Sequence, residues 1–470
     1  MQTIHRLWLM VLFAGTLWGQ QTTPTTPDPA QVDSPSEIEK LKNTCGVFNL
    51  KGIEGCAEEL FTGHPFHIAV GSIAPQNGFG GGLAYVGGKN TDNWRITWDA
   101  DAIASNNASW RAGVYVTFIH SGGSVITVSK GTKNFKPNLS DLPEHTVFTL
   151  YAQTISLNKL TYFGLGATTP QADRSFYGMR ETVVGGNVVK YLYPRMKLSV
   201  YGEANGRFVA LRPSAGQPSP SIEQVYTEAT APGLTSQPGT LQLGEGLRMT
   251  PVLGNDIVRL NYRATYQQYV APGSGFSFHR LTFDLGHQFA IRPKTTPVVT
   301  SRSGNGPDDC SLDPSSKDSG CPPVTRNLEG SFGVRALNIL SFAPQGDVVP
   351  FYFQPTLGGS DINGSPSLGS YQDYRFRAPD ILLLQESFEH SLGNLPLGIL
   401  LMADQGKLGG TAGGLRSSPW LHSFAAGLTL RAGGFPVVSL LFAFGGHEGT
   451  HTIANVNTSL LGGSARPPLF

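Results

Sequence analysis

Charge is scarce in this chain. Asp, Glu, Lys and Arg make up 14 % of its 470 residues, roughly half the share of an ordinary globular protein. The two signs nearly cancel, 34 basic against 33 acidic residues, so no strong field points to nucleic acid as a partner. Long apolar runs are also missing. None reaches the ~18 residues of a membrane-spanning helix, which excludes a helical membrane protein. There is no Gly-x-Ser-x-Gly elbow and no phosphate-binding loop. Yet 40 % of the residues are apolar and 58 are Gly, too apolar for a disordered chain and pointing to a Gly- and aromatic-rich β protein.

The first residues indicate export. His5 and Arg6 precede an apolar stretch, residues 7–18, that ends at Gly19 before a Thr/Pro-rich linker. A basic start, a short apolar core and a small residue at the break describe a secretory signal peptide, so residues 1–19 are expected to be cleaved. Four cysteines suit an exported chain, because an even count reads as two disulfides. Three pairings are possible, and the local loops Cys45–Cys56 and Cys310–Cys321 are the simplest. The second pair brackets Asp308, Asp309, Asp313 and Asp318, which read as a solvated loop because no calcium-loop spacing is met. No metal or cofactor is expected.

The dominant signal is a period of two. From Trp94, apolar Ile96, Trp98, Ala100 and Ala102 alternate with polar Arg95, Thr97, Asp99 and Asp101. The pattern returns at Trp110, at Met196, and most clearly where Val258, Leu260, Tyr262, Ala264 and Tyr266 oppose Arg259, Asn261, Arg263, Thr265 and Gln267. Side chains alternate faces along a strand, so each run has one oily and one wet face. The runs are about nine to eleven residues long, the length a tilted strand needs to cross a bilayer. An oily face ending in Trp and Tyr, opposite a face carrying both charge signs, matches a membrane barrel with a wet lumen and aromatic girdles. Backbone groups in lipid must all be paired, which predicts closure of the sheet. The expected fold is all-β: a closed transmembrane antiparallel β-barrel of about 16 strands over residues 65–461. A short segment, 20–64, precedes it and a tail, 462–470, follows. Residues 212–221 and 301–323 are candidate outer loops.

From residue 349 the sequence becomes specific. Pro350-Phe351-Tyr352-Phe353-Gln354-Pro355 leads to Leu357-Gly358-Gly359, then Leu368-Gly369-Ser370-Tyr371, Tyr374-Arg375-Phe376-Arg377, residues 382–386, and Ala403-Asp404-Gln405-Gly406. The order and spacing resemble the carboxy-terminal half of the BamA-type bacterial surface antigen superfamily of outer-membrane assembly and translocation barrels. The resemblance implies a loop folded into the lumen, here containing Gly369 and Tyr371. In that superfamily an Arg-Gly pair of this loop meets acidic lumen residues, and the matching positions here are Glu386 and Asp404. The arginine is missing from Leu368-Gly369-Ser370-Tyr371. Either Arg375 or Arg377 supplies the cation, or both carboxylates face lumen water. Residues 20–64 hold at most one short helix, over 53–60, so no polypeptide-transport-associated domain is expected there.

His447-Glu448-Gly449-Thr450-His451 matches the zincin pattern H-E-x-x-H, but the flanking and internal glycines favour a turn over the helix that zinc chemistry needs. An enzyme ranks last among the readings. The expected function is a pore or protein-conducting conduit of the outer membrane, gated by a lumen loop over residues 358–377. Its lumen would be lined by Arg95, Asp99, Arg111, Lys197, Glu203, Arg259 and Arg263. The alternative is a structural or adhesive surface barrel with a plugged lumen. Expected partners are the outer-membrane bilayer and periplasmic or client proteins, and no nucleic acid.

Overall fold

A computed structural model describes residues 66–91, 93–120, 146–193, 196–214, 217–254, 257–291, 294–296, 324–326, 329–393, 395–432 and 435–456. The first strands are β1 (Phe66–Ser72), β2 (Phe79–Asn90), β3 (Trp94–Ser105), β4 (Trp110–His120), β5 (Thr146–Tyr162), β6 (Ser175–Tyr193) and β7 (Leu198–Pro213). Next come β8 (Thr240–Met249), the two-residue β9 (Val252–Leu253), β10 (Val258–Val270), β11 (Phe278–Ile291), the short β12 (Lys294–Thr296) and β13 (Val324–Arg326), and β14 (Gly330–Phe342). The last are the short β15 (Thr356–Leu357) and β16 (Phe376–Arg377), then β17 (Asp380–Ser391), β18 (Leu397–Gly409), β19 (Leu421–Ala432), β20 (Phe435–Gly446) and β21 (Gly449–Val456).

Seventeen strands share one sheet, while β12–β13 and β15–β16 form separate two-stranded ribbons. Each long strand pairs antiparallel with its neighbour in the chain, giving a meander from β1 to β21 with β9 laid against the start of β10. The ladder keeps the predicted faces in register: Tyr262 lies opposite Leu285, and Arg263 opposite Asp284. Close approach of β2 to β3 needs Gly82, because a Cβ there would collide with the carbonyl of Ala102.

The sheet is inside out by the standards of a soluble protein. Phe442 is 55 % exposed while Leu441 and Ala443 beside it are 3 % and 0 % exposed. Phe66, Leu83, Trp94, Trp98, Trp110, Phe208, Leu247, Phe424 and Phe444 are all exposed on the same outer face. An apolar surface of that extent calls for an apolar solvent or a partner. The inner face carries the buried core, including Ile103, Ile155, Leu157, Leu160, Met179, Ile381, Leu383 and Leu408.

The expectation of a closed barrel is corrected. Among the described residues β1 bonds only to β2 and β21 only to β20, and no ladder joins the two. Both edge strands are short, seven and eight residues, and the β20–β21 ladder is interrupted between Ala443 and Gly446. Instead, one inserted stretch touches both edges: Tyr374 Oη donates to Pro75 O beyond β1, and Gly369 lies against Ile453 of β21. The sheet curls around that stretch, which links its two ends through side-chain contacts where no ladder does. The expected disulfides are also not found. No disulfide occurs among the described residues, and Cys45, Cys56, Cys310 and Cys321 lie outside them. The signal peptide, segment 20–64 and tail 462–470 lie outside them too.

Strand direction separates two rims. Connections 163–174, 214–239, 343–379 and 410–420 leave from one, here the loop rim, whereas β11 ends and β14 begins at the opposite, far rim. Candidate outer loop 212–221 starts in the last residues of β7 at the loop rim, and candidate loop 301–323 lies outside the described residues.

Candidate functional site

The connection between β14 and β17 runs inward, and residues 349–377 fill the loop-rim half of the interior. Pro350, with φ near −58°, starts a single 3-10 turn over Phe351–Phe353 whose three rings are all buried. Phe351 packs edge-on or tilted against Tyr162, Tyr177 and Tyr352, and Phe353 packs against Tyr269 and Phe278. Such ring pairs add about 0.5–1.5 kcal/mol each beyond their buried area. The β15–β16 ribbon then reverses the chain, with Gly358 at φ 108° and Gly359 at φ 60°. Leu368 and Tyr374 also adopt left-handed backbone, costing roughly 1–2 kcal/mol each for a residue with a Cβ. Hydrogen bonds hold them there: Leu368 N donates to Asp404 Oδ2 at 2.8 Å, and Tyr374 N donates to Gly358 O at 3.1 Å. At Gly369 a Cβ would lie 2.6 Å from Ile453 Cδ1 and 3.2 Å from Ala443 Cβ, so a larger residue there would have to push the Ile453 side chain aside.

Three buried guanidinium groups anchor the segment. Arg375 lies between the rings of Phe163 and Phe376, 4.6 Å from each centroid, donates to Thr169 and pairs with Glu448 of the β20–β21 turn. Arg377 donates to Phe351 O and Tyr177 Oη and lies over Tyr162 and Phe351. Arg280 of β11 lies over Tyr269 and Phe278 and donates to Phe353 O at 2.5 Å. A desolvated cation over a ring face is attracted by about 2 kcal/mol or more. Toward β1, Gln76 Nε2 and Thr161 Oγ1 donate to Asp373 O. Two acids of the segment are costly to bury. Burial pushes the Asp373 carboxyl above its ordinary value, with a bond from Ser360 N opposing it; Asp361 is pushed up likewise, against bonds from Ser365 N and Asn363 N.

The two matched acids part company. Asp404 faces inward, where Leu368 N and Gln385 Nε2 satisfy it. Glu386 is exposed and shares the outer face with Leu384 and Phe388, because the inward positions of β17 are 381, 383, 385, 387 and 389. Arg375 and Arg377 make their bonds elsewhere. Asp404 is thus held by a backbone amide and Gln385, and the cation behind Gln385 is Arg335, which donates to Gln385 Oε1. Tyr371 packs edge-on against Phe376, 4.9 Å between centroids.

Below the segment the inner face turns polar. Arg111 lies 3.7 Å from Asp101 of β3, and Arg207 pairs with Glu181 at 2.7 Å with both side chains buried. Glu203 accepts from Tyr201, Gln242 and Gln267. Arg335 grips Asp284 with two bonds, 2.7 and 3.1 Å, while Arg263 reaches it at 3.4 Å. Arg431 pairs with Glu389. Arg95, Asp99 and Arg259 occupy inward positions of β3 and β10, whereas Lys197 is exposed in the turn before β7, at φ 48°. The sequence reading missed Arg280 and the Glu181–Arg207 pair, and it gave Tyr374 no role of its own. Glu448 was in view only as part of H-E-x-x-H, and that motif crosses the β20–β21 turn with Glu448 engaged by Arg375, which is no zinc-protease geometry.

No family model matches the chain, and no curated protein sequence does. Among solved structures it is similar to CdiB and BamA proteins. CdiB from Acinetobacter baumannii is 12 % identical with a TM-score of 0.44, over 86 % of this chain and 67 % of that one. BamA from Haemophilus ducreyi lacking POTRA domains 1–3 is 10 % identical with a TM-score of 0.45, over 83 % and 67 %. CdiB from Escherichia coli is 13 % identical with a TM-score of 0.44, over 89 % and 72 %.

Proposed function

We propose that this chain is a non-enzymatic outer-membrane protein whose curved sheet surrounds a conduit stoppered by residues 349–377. The observation that carries the reading is the sidedness of the wall. Large apolar side chains are exposed outside, charged ones line the inside, and one aromatic segment plugs a single end. Fixed charges on a low-dielectric wall, with an inward loop limiting access, are the elements of a passive, gated passage. Its partners are the lipid around the outer face and a solute or client polypeptide inside. In planar bilayers the full chain is expected to conduct weakly. Removing residues 364–372, which carry Leu368 through Tyr371, is expected to raise single-channel current. Unchanged current in a folded deletion variant would sink the gate. A second reading, a permanently stoppered structural or adhesive protein, draws on the anchoring of the segment to the turns of the β1–β2 and β20–β21 hairpins at the two ends of the sheet. It predicts that both chains stay silent.

A further inference from the structure

We infer a binding station for a small oxyanion, phosphate being the prototype, on the inner face of β8, β10, β11 and β14 near the far rim. The register places Arg248 of β8 directly opposite Arg263 of β10, both on the inward face. Side chains so paired start about 4.5–5.5 Å apart at Cβ, and like charges in that position repel. Solvent reaching both side chains lowers that repulsion, and an anion held between the two guanidinium groups would remove it. The neighbouring carboxylate does not fill the role. Asp284, across from Arg263 on the other side, gives both oxygens to Arg335 at 2.7 and 3.1 Å. Arg263 is left with one contact at 3.4 Å and a side chain about half exposed. Arg248 is exposed, and among the described residues no carboxylate pairs with it.

Asp284 is thus the one carboxylate directly bonded to Arg263 and Arg335 among the described residues, with Asp361 and Asp404 acting on Arg335 from further away, while Arg248 is exposed and Arg263 about half exposed. Planar guanidinium forks match the oxygen edges of phosphate and carboxylate, and two converging on one ion give charge-assisted bonds to several oxygens. Asp284 fixes Arg335 and leaves Arg263 free to reach the ion. Binding here needs no passage through the stopper, so the inference stands apart from the conduit reading.

Titration of the refolded full chain in detergent with inorganic phosphate, followed by calorimetry and by phosphorus NMR line broadening, tests it. Saturable binding is expected, weakened at least about tenfold in Arg263→Gln and in Arg248→Gln, and unaltered in Arg416→Gln on the other rim. Arg248→Gln decides alone if Arg263→Gln fails to fold, since Arg248 is exposed. No saturable binding in the parent chain, or equal loss in all three variants, overturns the station.

Discussion

Toward the loop rim the interior is dry: Tyr162, Tyr177, Phe278 and Phe351 are each no more than 1 % exposed, and every cation there is shielded by rings or carbonyls. Toward the far rim, on the same strands, Arg248, Gln288 and half of Arg263 meet solvent. The two halves share one backbone ladder and differ in what the inward positions carry and in whether the inserted segment fills the space beside them. Strand periodicity decides which side chains face inward. The inserted segment decides whether those inward side chains pack or hydrate.

Phe351→Ala should break the contrast most. It empties a fully buried ring site in the dry half, and a loss of about 3–5 kcal/mol is expected, read as a fall in the urea midpoint at which the compact, heat-modifiable gel form disappears. An unchanged midpoint would place Phe351 outside the packing that closes this half. A pH series is the next largest probe. Asp373 and Asp361 have carboxyls raised by burial, so the folded state holds their protons more tightly than the unfolded chain does. Their contribution to stability should then be fully present in acid and be lost as pH rises from the ordinary carboxylate value through the raised one. Asp373→Asn should reduce that loss, and a slope left intact would show that Asp373 does not contribute to it. Smallest is Arg263→Gln in the wet half, where an exposed ion pair contributes about 0.2–1 kcal/mol. A loss as large as that of Phe351→Ala would erase the difference between the halves.

Much of the wall is legible in the sequence because alternation is local. Around Trp94, Trp110 and Val258 the two faces differ so plainly that inward and outward follow by counting. β17 shows where counting fails. Ile381, Leu382, Leu383 and Leu384 are apolar on both faces, since the inner ones pack against the inserted segment, and Gln385 and Glu386 are both polar. Nothing local sets the parity, and Glu386 proves to be outside. Lys197 misleads for a similar reason, continuing an alternation into a turn. Closure is invisible for another reason, since it depends on the two most distant strands meeting. The contacts that bind the segment to the sheet edges, Arg375–Glu448 and Tyr374–Pro75, link residues 73 and 299 positions apart and leave no periodic trace.

Everything rests on the outer face lying in hydrocarbon, and the chain carries its own reporters. A chain refolded from Gln20 onward keeps Trp94, Trp98, Trp110 and Trp420, all exposed on the outside. In vesicles of lipids brominated along the acyl chains, their fluorescence should be strongly quenched, with little response to aqueous iodide. Strong iodide quenching with no effect of the brominated lipid would contradict the account.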